Sequence, residues 1–328
     1  MALSTDPAKF VLPPEIAKGI EGKRVFITGS GKDRGLGQAF ALSAGMSGAA
    51  SVAVHFHSSY DDGLDTVQAL RKAGCNAFPV QCDVTNPRDV WGIRSYVVDR
   101  MGGVPNLIIC NSGLSESGYL LGRPPRDVEG ETQAHRRARV RQAFVKNLGQ
   151  SARVVSTKVD GFLSMTHLWA SEAVYAGDKA TFVYISSRQA HDPGAGVPGY
   201  VAANWAVLSL PKILRLNLGK RSSLINALSV GYPFVRTGMT EAYADNPKVF
   251  GRWQPRMLEP YEASMALMQL LNRPHDELDD RFFQVLVDKN EALGERGVDI
   301  RWSEVKVATE EAGLAWSDEA PLSLEGAK

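Results

Sequence analysis

Two oxygen-bearing side chains, Ser187 and Tyr200, are the strongest candidates for chemistry in this sequence. Ser187 ends an apolar run that predicts a buried strand, and Tyr200, thirteen positions later, begins an apolar pattern that predicts a long helix. The Gly- and Pro-rich residues 192–199 between them are typical of a turn that folds the helix against the strand. A carbonyl group held between the two could accept a hydrogen bond from the Ser187 hydroxyl and a proton from the Tyr200 phenol.

The size and charge of the chain favour a small-molecule site. Its 328 residues suit one α/β domain with extensions, and 37 basic against 36 acidic residues give no overall attraction to nucleic acid or an anionic membrane. Cys75, Cys82 and Cys110 lack metal-ligand spacing and are predicted to be buried thiols in a reducing compartment, with no metal bound. Since no run predicts a signal peptide or a membrane span, we expect a cytoplasmic protein.

Seven apolar runs alternate with helical patterns, and this order predicts one doubly wound α/β sheet. All seven strands are expected to be parallel, with helices on both faces and the site at the carboxyl ends of the strands. Residues 1–21 are predicted to form a leader on the surface and residues 22–292 the main domain. Within that domain, residues 114–153 are an insertion, and residues 293–328 form a C-terminal extension.

A glycine-rich loop between the first predicted strand and an Ala-rich helix is a candidate dinucleotide site. Glycines let a backbone approach a pyrophosphate, whose charge is met by free N–H groups at the start of a helix. The alternative is a tight turn with incidental glycines. The candidate binding residues in this loop are Gly29, Ser30, Gly31, Arg34, Gly35, Leu36 and Gly37.

The stretch that contains Ser187 and Tyr200 resembles the active site of the short-chain dehydrogenase/reductase family. That family has a serine, a tyrosine thirteen residues later and a lysine four residues after the tyrosine, but here Asn204 takes the position of the lysine. Residues 154–161 resemble the segment that carries the family's catalytic asparagine, and Lys158 stands in its position. The resemblance implies a Rossmann-type fold, a nicotinamide cofactor and a homodimer or homotetramer.

Lysine and asparagine therefore have exchanged positions relative to the family. We hypothesise that Lys158 supplies positive charge near Tyr200 and favours its phenolate, while Asn204 supplies neutral hydrogen bonds. The alternative is that Lys158 is an exposed helix residue and that Asn204 marks a site without redox activity. A second alignment would use Asn147 as the family's asparagine, but it leaves residues 161–162 and the following helix unexplained.

The residues that would hold the rest of the cofactor follow from the resemblance. The second strand ends in Ser58 and Ser59 without an acidic residue, and with basic Lys32 and Arg34 in the loop this favours NADP(H) over NAD. The glycine loop is longer than usual and is similar to that of the enoyl reductases. The resemblance assigns Asp83 and Val84 to the adenine, Asn111, Ser112 and Gly113 to the ribose, and Gly231, Val235 and Thr237 to the nicotinamide end.

The insertion contains a predicted basic helix. Residues 135–153 carry six Lys and Arg side chains and no acidic one, and Val140, Phe144 and Leu148 recur every four positions. A solvated basic face is one interpretation. The other is a lid that attracts an acidic substrate or a phosphopantetheine arm.

The resemblance implies an NADP(H)-dependent oxidoreductase that reduces a small-molecule ketone, free or bound to a carrier, with Tyr200 as proton donor. The alternatives are a non-redox cyclase or isomerase that retains NADP, an enoyl reductase-like enzyme, and a cofactor-sensing protein without turnover. Loss of the lysine should damage alcohol oxidation more than ketone reduction, because only oxidation needs the phenolate.

Overall fold

The computed structural model of the protein describes residues 3–115, 128–194 and 196–305. It forms one eight-stranded sheet in the order β3-β2-β1-β4-β5-β6-β7-β8. The strands are β1 Arg24–Ile27, β2 Ser51–Phe56, β3 Asn76–Gln81, β4 Leu107–Cys110, β5 Ala180–Ser187, β6 Ile225–Tyr232, β7 Arg281–Lys289 and β8 Val298–Glu304.

The first seven strands are parallel, as the alternating pattern predicts. The central strands are buried on both faces, which explains their continuous apolar runs. The chain moves outward from β1 to β3 on one side and resumes at β4 on the other. A crevice therefore opens above the carboxyl ends of β1 and β4, where sheets of this type bind ligands.

Helices cover both faces of the sheet and divide the core in two. The cluster on one face includes side chains of α2, α3 and α11, and the cluster on the other includes side chains of α4, α5, α7 and α9. The helices are α1 Pro14–Ala17, α2 Leu36–Met46, α3 Tyr60–Lys72, α4 Pro87–Gly92, α5 Arg94–Met101, α6 Gln133–Val155, α7 Gly161–Ala176, α8 Pro198–Ala206, α9 Leu210–Leu218, α10 Pro247–Phe250 and α11 Pro260–Leu270.

Both predicted ends of the domain are corrected by the structure. The segment expected to be an extension contains β8, an eighth strand that pairs antiparallel with β7. The segment expected to be a surface leader packs into the core, because Phe10, Leu12 and Ile20 are all buried there. The folded unit thus includes described residues on both sides of residues 22–292.

Two predicted helices differ in detail from the observed ones. The basic helix α6 is present, and it continues through one π-helical turn, Ser156–Asp160, directly into α7. The long helix expected after Tyr200 is divided into α8, a 3₁₀ turn at Val207–Ser209, and α9, which has Pro211 in its first turn. A π turn inside an α-helix is often found at a functional site.

Two features are absent from the residues that the structure describes. Among these residues, no helix combines the length and apolarity needed to span a bilayer. Nor do three or more His, Cys, Asp or Glu side chains gather there in a metal-binding cluster.

Candidate active site

Ser187 and Tyr200 meet at the carboxyl end of β5. Ser187 is the last residue of β5, and its Oγ accepts a hydrogen bond from the Gln189 N–H at 3.2 Å, which starts a 3₁₀ turn. Tyr200 lies in the first turn of α8, and its phenol is hydrogen bonded to the Ser187 side chain. The neighbouring Ser186 Oγ donates to the Asn204 carbonyl oxygen at 2.9 Å, so strand and helix are fixed against each other. The two oxygens predicted from the sequence therefore share one site.

The Tyr200 phenol is protonated at neutral pH. Part of the side chain is exposed, but burial around the hydroxyl has the largest influence and raises the pKa of Tyr200. Hydrogen bonding by Ser187 and Asn204 opposes this rise and does not overcome it. A phenol with a raised pKa can give a proton to a developing alkoxide, which is the direction that ketone reduction requires.

Asn204 is completely buried one helical turn after Tyr200. Its Nδ2 donates to the Tyr200 carbonyl oxygen at 2.8 Å, which leaves only a looser contact with the phenol. Its Oδ1 is buried and meets no hydrogen-bond geometry with any residue that the structure describes. Since an unpaired buried oxygen is costly, this atom is suited to accept a hydroxyl of a bound molecule.

Lys158 is buried in the π turn, with 4% of its surface exposed. Its ammonium lies 5.0 Å from the centre of the Phe162 ring, and a Cβ placed on Gly113 would be 3.9 Å from Nζ. Burial lowers the pKa of Lys158 to about 7, although the nearby Cys110 acts in the opposite direction. The lysine therefore lies beside the residues that follow β4 and can carry or release a proton near neutral pH. The interpretation of Lys158 as an exposed helix residue is wrong.

The expected effect of Lys158 on the phenol is not found in this arrangement. The groups that act on the pKa of Tyr200 are Ser187 and Asn204, and the group that acts on Lys158 is Cys110. The pKa of Tyr200 is raised, whereas a neighbouring cation would lower it. A catalytic role for Lys158 stays a prediction. In this geometry, however, Lys158 does not favour the phenolate form of Tyr200.

The glycine loop connects β1 to α2 as predicted and brings the backbone close to β4. Gly29 is left-handed with φ 67°, and a Cβ on Gly37 would lie 2.4 Å from the Gly29 carbonyl oxygen and 2.5 Å from Asn111 Nδ2. Gly35 precedes the first turn of α2, and no side chain caps that turn. Its N–H groups are thus available for a pyrophosphate, which fits a dinucleotide. Gly31 instead packs closely on Phe56.

We expect Gly37→Ala to disrupt this loop. The new methyl group would overlap backbone that cannot move away, so the free energy of unfolding should fall by about 1–3 kcal/mol. Urea unfolding measures the change. Gly149→Ala on α6 is the control, because among the described residues no atom beyond its chain neighbours and its own helix backbone would lie within 4 Å of its Cβ. It should raise stability by about 0.5–1 kcal/mol. Equal stability of Gly37→Ala and the natural protein would contradict this close approach.

The buried His55 positions the loop, although the sequence indicates no more than a strand residue there. Its Nδ1 accepts the Gly29 N–H at 3.0 Å, and its Nε2 lies 3.1 Å from the Cys82 carbonyl oxygen. The ring is therefore neutral, with its proton on Nε2 and donated to Cys82. Burial lowers the pKa of His55 to about 4. Strand-end position and apolar neighbours are the only signals that the sequence offers for this role.

Acid should weaken the fold through His55. Its pKa is about 4 in the folded protein and about 6.5 when unfolded, so the unfolded chain binds more protons as the pH falls. The contribution of His55 to the free energy of unfolding should be fully present above pH 6.5. About 3 kcal/mol of it should be lost by pH 4. Denaturant titrations across this range should show a smaller loss for His55→Gln, whereas the exposed control His135→Ala should behave like the natural protein. Parallel losses in all three proteins would exclude His55 as the source.

The predicted ribose segment after β4 is largely occupied by structural hydrogen bonds. Thr28 Oγ1 accepts the N–H groups of Asn111 at 2.8 Å and Ser112 at 2.9 Å. Asn111 Nδ2 donates to the carbonyl oxygen of Thr28 at 3.1 Å. Asn111 thus holds the ends of β1 and β4 together, while a Cβ on Gly113 would be in ordinary van der Waals contact with Lys158 Nζ.

The basic side chains predicted to select NADP(H) are both engaged in ion pairs. Lys32 Nζ lies 3.0 Å from Asp62 Oδ2, and the Arg34 guanidinium pairs with Glu241. Ser58 is exposed and Ser59 partly exposed, at the end of β2 as predicted. The loop therefore contains the expected cations, but they are already neutralised by neighbouring carboxylates.

The remaining predicted cofactor residues lie along the same edge of the sheet. Asp83 Oδ1 accepts from the Thr85 N–H and hydroxyl, and Val84 is buried under Gly161. Gly231 lies in β6, and Thr237 follows the buried Val235 in a tight turn closed by Thr240. A Cβ on Gly231 would lie 2.3 Å from the Gln284 side chain, so this glycine allows β6 and β7 to pack closely.

The residues that follow β6 lie against the turn that connects Ser187 to Tyr200. Asp192 accepts hydrogen bonds from the Arg252 guanidinium at 2.8 Å and from the Trp253 indole. Trp253 also stacks on Phe234 with a centroid separation of 5.4 Å. The segment that carries Arg252 and Trp253 is thereby attached to the loop beside the two catalytic candidates.

The sequence is similar to those of known reductases. Over 170 residues the chain is 26% identical to versicolorin reductase stcU of Emericella nidulans. This match covers 50% of the chain and 62% of that protein. The match thus spans less than two thirds of that relative. The chain is also 22% identical over 226 residues to the 3-oxoacyl-(acyl-carrier-protein) reductase FabG of Staphylococcus aureus. This match covers 69% of the chain and 80% of that protein.

Solved structures share the fold. A short chain dehydrogenase from Burkholderia cenocepacia J2315 in complex with NADP has a TM-score of 0.64 at 19% identity, covering 81% of this chain and 96% of that one. A 7α-hydroxysteroid dehydrogenase complexed with NADH has a TM-score of 0.65 at 18% identity. The similarity covers 84% of this chain and 97% of that one. Residues 23–248 match the family described as short chain dehydrogenase. Because this match covers more than half of its residues, the chain belongs to the short-chain dehydrogenase family.

Proposed function

We propose that this oxidoreductase reduces a small-molecule ketone to an alcohol with NADPH. The observation that carries the proposal is the hydrogen-bonded pair of Ser187 and Tyr200, with the pKa of the phenol raised by burial. A carbonyl between them would accept a hydrogen bond from Ser187 as negative charge develops on its oxygen. Tyr200 would then donate its proton to that oxygen.

A nicotinamide dinucleotide fits the residues along the edge of the sheet, and when bound it supplies the hydride. The uncapped start of α2 would hold the pyrophosphate, and the unpaired Asn204 Oδ1 would accept a ribose hydroxyl. Lys158, beside Gly113, would donate to the same ribose or to water. Arg34 and the lack of an acidic residue at the end of β2 support NADP(H) over NAD.

A second candidate function rests on Lys158. A buried amine whose pKa is about 7 can act as a general base at neutral pH. Together with the Tyr200 acid it could serve a non-redox isomerase or cyclase that keeps its dinucleotide as a structural element. This alternative differs in its use of NADPH, which would be bound but not consumed.

The test is NADPH consumption over a panel of ketones, with product analysis. Oxidation of NADPH matched by alcohol formation supports the reductase, and conversion of a substrate without NADPH loss supports the isomerase or cyclase. Tight binding of NADPH with no conversion of any substrate would contradict both. We also propose a homodimer or homotetramer, and the panel should include a carrier-linked ketone because of the basic helix α6.

A further inference from the structure

Glu241 joins two arginines that follow different strands, β1 and β6. Its carboxylate pairs with Arg34 of the glycine loop and, at 3.1 Å, with Arg236 after β6. Arg34 and Glu241 are 207 positions apart in the sequence. Glu241 begins a short 3₁₀ turn, and its N–H donates to the Thr237 carbonyl oxygen at 2.9 Å. One carboxylate therefore connects the glycine loop after β1 to the segment after β6.

The conformation of Arg34 is fixed independently of this ion pair. Its backbone is left-handed at φ 56°, which is uncommon for a residue other than glycine. The Arg34 N–H donates to Gln38 Oε1 at 3.0 Å, and Gln38 Nε2 donates to Thr66 at 2.9 Å. Side chains of α2 and α3 thus hold the loop backbone at Arg34, so loss of Glu241 should leave the loop in place.

We propose that Glu241 determines the affinity for 2′-phosphorylated dinucleotides by competing for Arg34. This inference rests on the proposed use of NADP(H). A 2′-phosphate is the anion that an arginine at this loop would bind, and it cannot pair fully with a guanidinium that already holds a carboxylate. A phosphate and the Glu241 carboxylate would also repel each other at the same cation.

Release of Arg34 does not leave Glu241 without a partner, because Arg236 remains beside it. The three side chains are partly exposed, with 35–40% of each surface accessible, so water can solvate the groups during the exchange. Lys32 is held differently: its partner Asp62 also accepts the Asp33 N–H at 3.2 Å and so is fixed to the loop backbone. The exchange is therefore expected at Arg34 and not at Lys32.

The experiment compares binding constants for NADPH, NADH and adenosine 2′,5′-bisphosphate by calorimetry at low ionic strength. Glu241→Gln should bind both 2′-phosphorylated ligands about fivefold more tightly and NADH as before. In an Arg34→Ala background the same substitution should produce no gain. Glu304→Gln is the matched control, because it removes a carboxylate from Arg281 at the amino end of β7. It should change none of the three binding constants.

Three results would overturn the inference: unchanged or weaker NADPH binding by Glu241→Gln, an equal gain for NADH, or a gain that persists without Arg34. Each would leave the proposed reductase intact as long as NADPH binds. If neither the natural protein nor any variant binds a dinucleotide, the proposed function fails together with this inference.

Discussion

Tyr200→Phe should reduce ketone turnover by about a hundred- to ten-thousandfold. The substitution keeps the ring but removes the proton that the hydroxyl would donate, and with it the hydrogen bond to Ser187. Binding of NADPH should change little, since no proton is transferred on binding. The measurement is single-turnover oxidation of NADPH with saturating ketone, together with the binding constant for NADPH.

Tyr184→Phe is the matched control for this substitution. Tyr184 is fully buried, and its hydroxyl lies 2.9 Å from Thr166 Oγ1 within the core. Turnover by this variant should stay close to that of the natural protein. If Tyr200→Phe retained full turnover, or if both variants lost it equally, Tyr200 would not be the proton donor.

Lys158→Met should make the protein more stable and less active. A lysine whose pKa falls from 10.5 to about 7 on folding costs on the order of 4 kcal/mol at pH 7, and methionine removes that cost at similar volume. Because Lys158 lies beside Gly113, the same change should weaken cofactor binding or turnover. Such an opposition between stability and activity is expected of a residue retained for function.

The pH dependence distinguishes this effect from simple repacking. The folded pKa lies below the unfolded one, so the unfolded chain binds more protons between pH 7 and 10.5, and the cost of Lys158 declines as the pH rises. The stability advantage of Lys158→Met should shrink from about 4 kcal/mol at pH 7 to about 2 kcal/mol at pH 9. Denaturant unfolding at both pH values measures it.

Lys179→Met supplies the comparison, because Lys179 is exposed near the end of α7. It should change neither stability nor turnover. A Lys158→Met protein that is less stable than the natural one, or an advantage independent of pH, would show that Lys158 is not held unfavourably in the core. Unchanged NADPH-dependent reduction by that variant would exclude Lys158 from the reaction.

Continuous apolar runs made the parallel part of the sheet predictable. Ser187 and Tyr200 come together because a strand end and a helix start are joined by a turn rich in Gly and Pro. β8 was not predictable in the same way, since half-buried and exposed side chains such as Trp302 and Arg301 alternate along an edge strand. The buried residues of the first segment, Phe10, Leu12 and Ile20, follow no helical or strand period.

The parts of the site that were missed depend on contacts between distant residues. Arg34 was expected from the loop, but its pairing with Glu241 is a tertiary contact that no local pattern contains. The role of His55 likewise depends on a backbone N–H in another segment. The position of Lys158 came from resemblance to the family, whereas its burial and lowered pKa depend on tertiary packing that places it near Cys110.

The most direct measurement of the central claim follows deuterium from C4 of the nicotinamide ring of labelled NADPH during ketone conversion. If Tyr200 and Ser187 hold a carbonyl against a bound dinucleotide, the label will appear on the carbinol carbon, with one alcohol formed for each NADPH consumed. A product that forms without the label, while NADPH remains unchanged, would contradict hydride transfer at this site.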